Sequence, residues 1–212
     1  MIFKLDERLI FPKPDLAEPD GLLAIGGNLS PERLLMAYSH GIFPWYSEET
    51  PILWYSPHER FVLYPPELRI SKSMRQVLRS GKFNVTVNRC FADVIEACSA
   101  VPREGQDGTW ITADMKQAYI KLHRLGFVHS YEVWQQNELV GGLYGVQVGR
   151  VFCGESMFSR ASNASKMALI TLCQSGQYDL VDCQVHTEHL ESMGAHFISR
   201  DTYMALLQDN SA

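Results

Sequence analysis

The chain has 212 residues, 46% of them hydrophobic, and a net charge of −5, enough apolar material for one large domain or two small ones with a proper core. No run of ~18 apolar residues occurs, which excludes a membrane-spanning helix, and the start MIFKLDERLIF is charged where a secretory signal is apolar, so a cytoplasmic protein is expected. Five cysteines (90, 98, 153, 173 and 183) lack C-x-x-C spacing and read as free thiols of a reducing compartment, not as a zinc site.

Residues 1 to about 62 are rich in Pro, Gly and aromatics. Within them Ser30 is placed to cap a helix, with Pro31 at its first position and Gly41 at its end. The run GIFPWYSEETPILWYSP carries too many aromatics and prolines for a regular element. Trp45, Tyr46, Trp54 and Tyr55 serve there either as packing groups or as stacking faces for unpaired bases.

From Glu67 to Arg89 the segment carries a net charge of +5, which leaves −10 for the rest. A helix is predicted over about 71–80, with Lys72, Arg75 and Arg79 on one face and Met74, Val77 and Leu78 on the other. A solvated surface helix explains that pattern; a docking stripe for a phosphate backbone is the functional alternative. The pattern from Phe61 onward is α+β. A strand KFNVTVN and a helix over about 91–100 come next, then a loop, VPREGQDGTWITAD, in which Thr112 caps a helix closed by Gly126. Strands SYEVWQ and ELVGGLYGVQVG form a hairpin turning at Gln136-Asn137, and a short strand over 151–153 ends at Gly154. A helix containing Ala164, Met167, Ala168 and Leu172, a strand DLVDCQV, a helix TEHLESM ended by Gly194, a strand HFIS and a helix capped by Asp201 complete the chain.

Two stretches carry chemistry. After Gly154 come Glu155, Ser156, Met157 and Phe158, a carboxylate and an apolar pair at one strand end. In DLVDCQV, strand alternation puts Leu180, Asp182 and Gln184 on one face, and a carboxylate inside a sheet is costly unless partnered. The pair is either a strand end where Asp182 caps something nearby or a polar pair in a cleft. Gly154-Glu155-Ser156-Met157-Phe158 nearly matches a G-x-S-x-G nucleophile elbow, but Phe158 stands where a small residue is needed. His186 and His189 lack the further ligands of a zinc site, and there is no phosphate-binding or dinucleotide Gly-rich loop.

The runs DGLLAIGGNLSPERLLMAYSHGIFPWYS, PILWYSP, GTWIT, VGGLYGV, FCGESMFSRASNASKMAL and VDCQ…HLESMGA together resemble the bacterial leucyl/phenylalanyl-tRNA–protein transferases over nearly the whole chain. The resemblance implies a small N-terminal α/β domain (1–62) packed on a GNAT-like C-terminal domain (63–212) with a mixed, mostly antiparallel sheet. It implies transfer of Leu, Phe and, less well, Met from Leu-tRNA, Phe-tRNA and Met-tRNA to proteins beginning with Arg or Lys, a tag for N-terminal-residue-dependent degradation. The expected enzyme is a monomer, off the membrane, with no metal and no cofactor. Carried over by residue, Asp182 polarises Gln184, Gln184 holds the incoming amine, and Asp182 or water takes the proton. Glu155, helped by Ser156, meets the cationic acceptor terminus. Leu143, Met157, Leu169, Leu172 and Val181 form the apolar cup for the transferred side chain. Trp45 and Trp110 flank the 3′-terminal adenosine, and Lys72, Arg75 and Arg79 follow the tRNA backbone. A CoA-dependent acetyltransferase would need a pyrophosphate loop such as Q/R-x-x-G-x-G, which does not occur. The remaining rivals are an RNA- or peptide-binding protein without catalysis and, more distantly, a serine hydrolase acting through Ser156.

Overall fold

Ser30 accepts the Arg33 N–H at 3.3 Å and starts α1 (Pro31–Ser39), where Pro31 lacks only an N–H that would have had no partner. Gly41, at φ +67°, turns the chain beyond its end. In the computed structural model, which describes residues 2–101 and 110–209, this helix accompanies a four-stranded sheet. Its strands are β1 (Phe3–Leu5), β2 (Leu22–Gly26), β3 (Phe43–Pro44) and β4 (Leu53–Tyr55), in the order β1-β2-β4-β3. Strands β3 and β4 arise from the run expected to be irregular. Pro44 is tolerated because β3 is an edge strand, and Trp54, fully buried, anchors β4 from inside.

The second sheet has seven strands: β5 (Glu59–Leu63), β6 (Asn84–Val87), β7 (Val128–Gln135), β8 (Glu138–Val148), β9 (Val151–Ser159), β10 (Leu180–Asp182) and β11 (His196–Ser199). Their order is β11-β5-β10-β9-β8-β7-β6. Five of the six pairings are antiparallel and one, β9 with β10, is parallel. The α+β class with a mixed, mostly antiparallel sheet is therefore observed. The expected boundary at 62/63 cuts through β5, which already belongs to the larger sheet from Glu59.

Helices cover both faces of that sheet. On one, Phe61, Leu63, Leu143, Phe152 and Val181 pack with Met74 of α2 (Lys72–Arg79) and with Met167, Leu169 and Leu172 of α5 (Ala164–Gln174). On the other, Val62, Tyr144, Cys153 and Leu180 pack with Tyr38 of α1, Val94 of α3 (Phe91–Ser99), Tyr119 of α4 (Ala113–Arg124) and Tyr203 of α7 (Arg200–Asp209). The alternation of Phe61/Val62 and Val181/Leu180 between the two cores is the period-two signature of a sheet buried on both faces. Thr112 accepts the Met115 N–H and caps α4 as expected. Gln136 and Asn137 turn the β7–β8 hairpin with φ of +49° and +68°, the pattern of a type I′ turn. Capping of α7 differs from expectation: the helix begins at Arg200, and Ser199, not Asp201, accepts the Thr202 N–H. The residues 102–109 of the expected loop, with Gly108 and Thr109 of the GTWIT motif, lie outside the described residues.

The larger correction concerns β9. It does not stop at Gly154 but runs to Ser159 through a bulge, because Gly145 of β8 pairs with Gly154 while Tyr144 pairs with Ser156. Glu155 is the extra residue. One inserted residue reverses the facing of everything after it, so Met157 joins the α5 core and Phe158 the opposite one. That reversal is why the segment shows no strand period in sequence. Gly145 permits the close approach at the bulge: a Cβ there would lie 2.3 Å from the Cys153 carbonyl oxygen and 2.6 Å from the Phe152 ring. Gly145→Ala is expected to cost at least ~1–3 kcal/mol, the range for overpacking, read as a lower denaturation midpoint.

Candidate active site

The parallel ladder pairs Leu180 with Val151, Val181 with Phe152 and Asp182 with Cys153, and ends there, whereas β9 continues to Ser159. The two strands part at this point. The chain leaves β10 through Gln184, which adopts φ +59°, a left-handed conformation that a non-glycine residue holds only under constraint. Across the parting, Gln184 Nε2 donates to Glu155 Oε1 at 2.9 Å. The bulge aims Glu155 at the helices behind it. There the Tyr38 hydroxyl of α1 donates to Oε1 at 2.7 Å and the Tyr119 hydroxyl of α4 donates to Oε2 at 3.1 Å. The two tyrosine hydroxyls also hydrogen-bond to each other.

Electrostatics at Glu155 are dominated by desolvation. Burial pushes its carboxyl up from an ordinary 4.5 to about 7, against the downward pull of Tyr38, Gln184 and Tyr119, and the nearby Asp182 charge raises it further. Burial, followed by the Glu155 charge, raises both tyrosine hydroxyls well above their usual value, so both stay protonated as donors.

Asp182 is fully buried and forms an ion pair with Arg60 of β5, itself 2% exposed. Arg60 also donates to the Gly41 carbonyl at 3.0 Å, and its guanidinium lies 4.4 Å from the Tyr203 ring centroid and 5.0 Å from that of Phe43. The other Asp182 oxygen, Oδ1, accepts the Gln184 backbone N–H at 3.0 Å. The expected polar pair on one strand is thereby corrected. Gln184 lies beyond the strand, its side chain meets Glu155, and Asp182 engages the Gln184 backbone. Part of this is visible once Arg60 is considered: in ERFVL a charged residue occupies a buried strand position, which calls for an opposite charge such as Asp182. Tyr38 and Tyr119 carried no such signal, since each sits on the apolar face of its helix like an ordinary core residue.

Leu143, Leu169, Leu172 and Val181 are buried in one core, and Met157, half-buried and directly opposite Leu143, packs against it. These five residues meet, but on the α5 side of the sheet, away from the Tyr38–Tyr119 side that Glu155 faces. Ser156 is half-buried beside the bulge and pairs across the ladder with Tyr144. Trp45 is 40% exposed after β3, and Trp110 is half-buried ahead of α4. Their segments are joined by a Tyr46–Thr112 hydroxyl contact of 3.2 Å, and Tyr46 and Thr112, though neither tryptophan, line an open cleft of ≈ 780 Å³. Lys72, Arg75 and Arg79 are exposed along α2, while Met74 is buried and Val77 and Leu78 are half-buried, the two-faced helix expected. Among the described residues no group of three or more His, Cys, Asp or Glu is placed to hold a metal ion, and no helix is long and apolar enough to cross a membrane.

Residues 62–208 match the family described as leucyl/phenylalanyl-tRNA protein transferase, and residues 27–58 match its N-terminal domain. The chain belongs to this family. A leucyl/phenylalanyl-tRNA–protein transferase of Syntrophobacter fumaroxidans is 58% identical over 212 residues, 99% of this chain and 91% of that one. That of Flavobacterium johnsoniae is 51% identical over 210 residues, 98% of this chain and 99% of the other. Among solved structures, a GCN5-related N-acetyltransferase from Kribbella flavida is similar at a TM-score of 0.38 and 10% identity, over 78% of this chain and 60% of that one. Family membership makes the chain an aminoacyltransferase.

Two stability measurements test the charge placement in this transferase. Asp182→Ala leaves Arg60 buried without its partner and is expected to cost ~3–5 kcal/mol, whereas the double change Arg60→Met with Asp182→Leu costs less than the two single changes together. Denaturant titration of the parent, the three single variants and the double variant measures both. For Glu155, a folded-state value raised from 4.5 to about 7 means that stability is greatest below the unfolded value and is lost as pH rises toward 7. Glu155→Gln removes this loss, so between pH ~5 and ~8 the variant should lose roughly 2 kcal/mol less than the parent.

Proposed function

We propose that this transferase moves Leu, Phe and, less well, Met from aminoacyl-tRNA to the α-amino group of proteins beginning with Arg or Lys. The observation that carries the reading is the end of the β9–β10 ladder, where Glu155 and Gln184 meet on one side of the sheet and Met157 and Leu143 pack in an apolar cluster on the other. An aminoacyl ester lying there directs its side chain toward Met157, Leu143, Leu169, Leu172 and Val181. Met157 suits several shapes because methionine is pliable. The attacking amine comes from the Glu155 side, where a carboxylate attracts a cationic N-terminal residue. Ser156 adds a hydrogen-bonding hydroxyl, and Gln184 positions the amine.

The chemistry needs little more. The ester is already activated, and an α-amino group with a reference pKa near ~8 has a usable neutral fraction at neutral pH. What the protein supplies is approach, orientation and a destination for one proton. Trp45 and Trp110 flank the terminal adenosine on either side of the Tyr46–Thr112 join, and α2 docks the phosphate backbone. The enzyme acts in the cytoplasm as a monomer without a metal or other cofactor, and its product feeds N-terminal-residue-dependent degradation.

Radiolabel transfer from Leu-tRNA to a peptide beginning with Arg, with the N-acetylated peptide as control, tests the reading. Label on the free peptide alone supports it; no label on either overturns it. For the helix, Lys72, Arg75 and Arg79 changed together to Ala should raise the KM for aminoacyl-tRNA and flatten its salt dependence by a slope of up to ~2–3. A short aminoacyl-adenosine, which cannot reach α2, should be used equally by variant and parent. Equal loss on both donors would make the helix structural.

A further inference from the structure

We propose that the proton released by the attacking amine is taken by Glu155, as part of a closed ring with Tyr38 and Tyr119, and not by Asp182. This rests on the aminoacyl-transfer reading above. The ring has three oxygen–oxygen contacts: Tyr38 to Glu155 Oε1, Tyr119 to Glu155 Oε2, and Tyr38 to Tyr119. Two hydroxyls supply two hydrogens. With Glu155 ionised, one of the three contacts therefore lacks a hydrogen; with Glu155 protonated, all three are filled. The ring has room for one proton, and it lies beside Gln184, whose side-chain amide donates to Glu155 Oε1. Asp182 has no such room. It is 0% exposed, one oxygen is held by Arg60 and the other by the Gln184 backbone.

In the step this assigns, the amine nitrogen forms a bond to the ester carbonyl carbon as its proton passes to the Glu155 carboxylate. Collapse of the tetrahedral intermediate breaks the bond to the terminal ribose oxygen. That oxygen takes the proton from Glu155 and leaves as a hydroxyl, which restores the carboxylate. Tyr38 and Tyr119 are positioning residues, donors that follow the charge on Glu155 as it changes. The other ionisable groups around the ring are Tyr144 of β8, edge-on to Tyr119, Cys153 of β9, and the Arg60–Asp182 pair, whose carboxylate opposes ionisation of Glu155.

The test is kcat against pH for transfer to a peptide beginning with Arg, at saturating Leu-tRNA. The parent should show an acid limb near the value at which Glu155 titrates, with kcat falling tenfold per unit below about 7. A second limb from the amine itself moves with the acceptor and is identified with peptides of different α-amino pKa. Glu155→Gln should lower kcat by ~10²–10⁴-fold and abolish the acid limb. Tyr119→Phe and Tyr38→Phe each remove a donor to the carboxylate and should move that limb to higher pH, a shift that a merely structural role would not produce. An acid limb that survives in Glu155→Gln, or that neither Phe variant moves, overturns the proposal. If Glu155→Gln does not fold, infrared titration of the parent and the Phe variants reads the protonated carboxyl directly; absence of a carboxyl titrating near neutral pH is equally decisive against it. A parent that transfers nothing to Arg- or Lys-starting peptides overturns the underlying reading instead.

Discussion

Arg60 and Asp182 bring two opposite charges out of water between four parts of the chain. The guanidinium leaves β5, meets the carboxylate of β10, reaches the Gly41 carbonyl at the end of α1, and lies over the rings of Phe43 and Tyr203. A buried charge of either sign is affordable only with its partner and with the remaining donors and acceptors engaged. The small sheet, the large sheet and α7 are therefore held in one relation by the requirement that this pair be complete. The free Asp182 oxygen then takes the Gln184 N–H, which holds Gln184 in its left-handed conformation at the place where β10 stops.

That stop is what makes a site out of a sheet. Where the β9–β10 ladder ends, the two faces of the sheet carry different chemistry. The bulge at Glu155 sorts the residues: the carboxylate goes to the tyrosines of α1 and α4, and Met157 goes to the leucines of α5. In a regular strand Glu155 and Met157 would share one face. The one extra residue separates a charge-handling side from an apolar side within three positions of sequence. Burial on the tyrosine side raises the Glu155 carboxyl toward neutrality, while Met157 joins a separate apolar core on the α5 side.

The helices and the hairpin were legible because their signals are local. Ser30 and Thr112 announce N-caps, Gly41 and Gly126 announce ends, and Gln136-Asn137 announces a tight turn; each acts within a few residues of itself. The two faces of α2 were legible for the same reason, since a 3.6-residue period is complete within eight residues. Family resemblance supplied the expected polar and apolar site residues, but not their arrangement. Strands β3 and β4 and the second half of β9 were missed because they are made by partners distant in the chain. Pro44 in β3 argues against a strand until an edge position is available, and a bulge erases the alternation by which a strand is recognised.

The amino-acid sequence by itself determined the α+β class, the capped helices, the unequal charge distribution and the family. Those properties follow from composition, local periodicity and motif order, none of which needs a contact between distant residues. Only the tertiary structure decided that Asp182 faces Arg60, that Gln184 turns to Glu155, and that Tyr38 and Tyr119 close on the same carboxylate. The pairs are 122, 29, 117 and 36 residues apart in the chain. The physical reason is that a buried polar atom is constrained by what it must be paired with, and that partner is set by strand order and register, not by its neighbours in sequence.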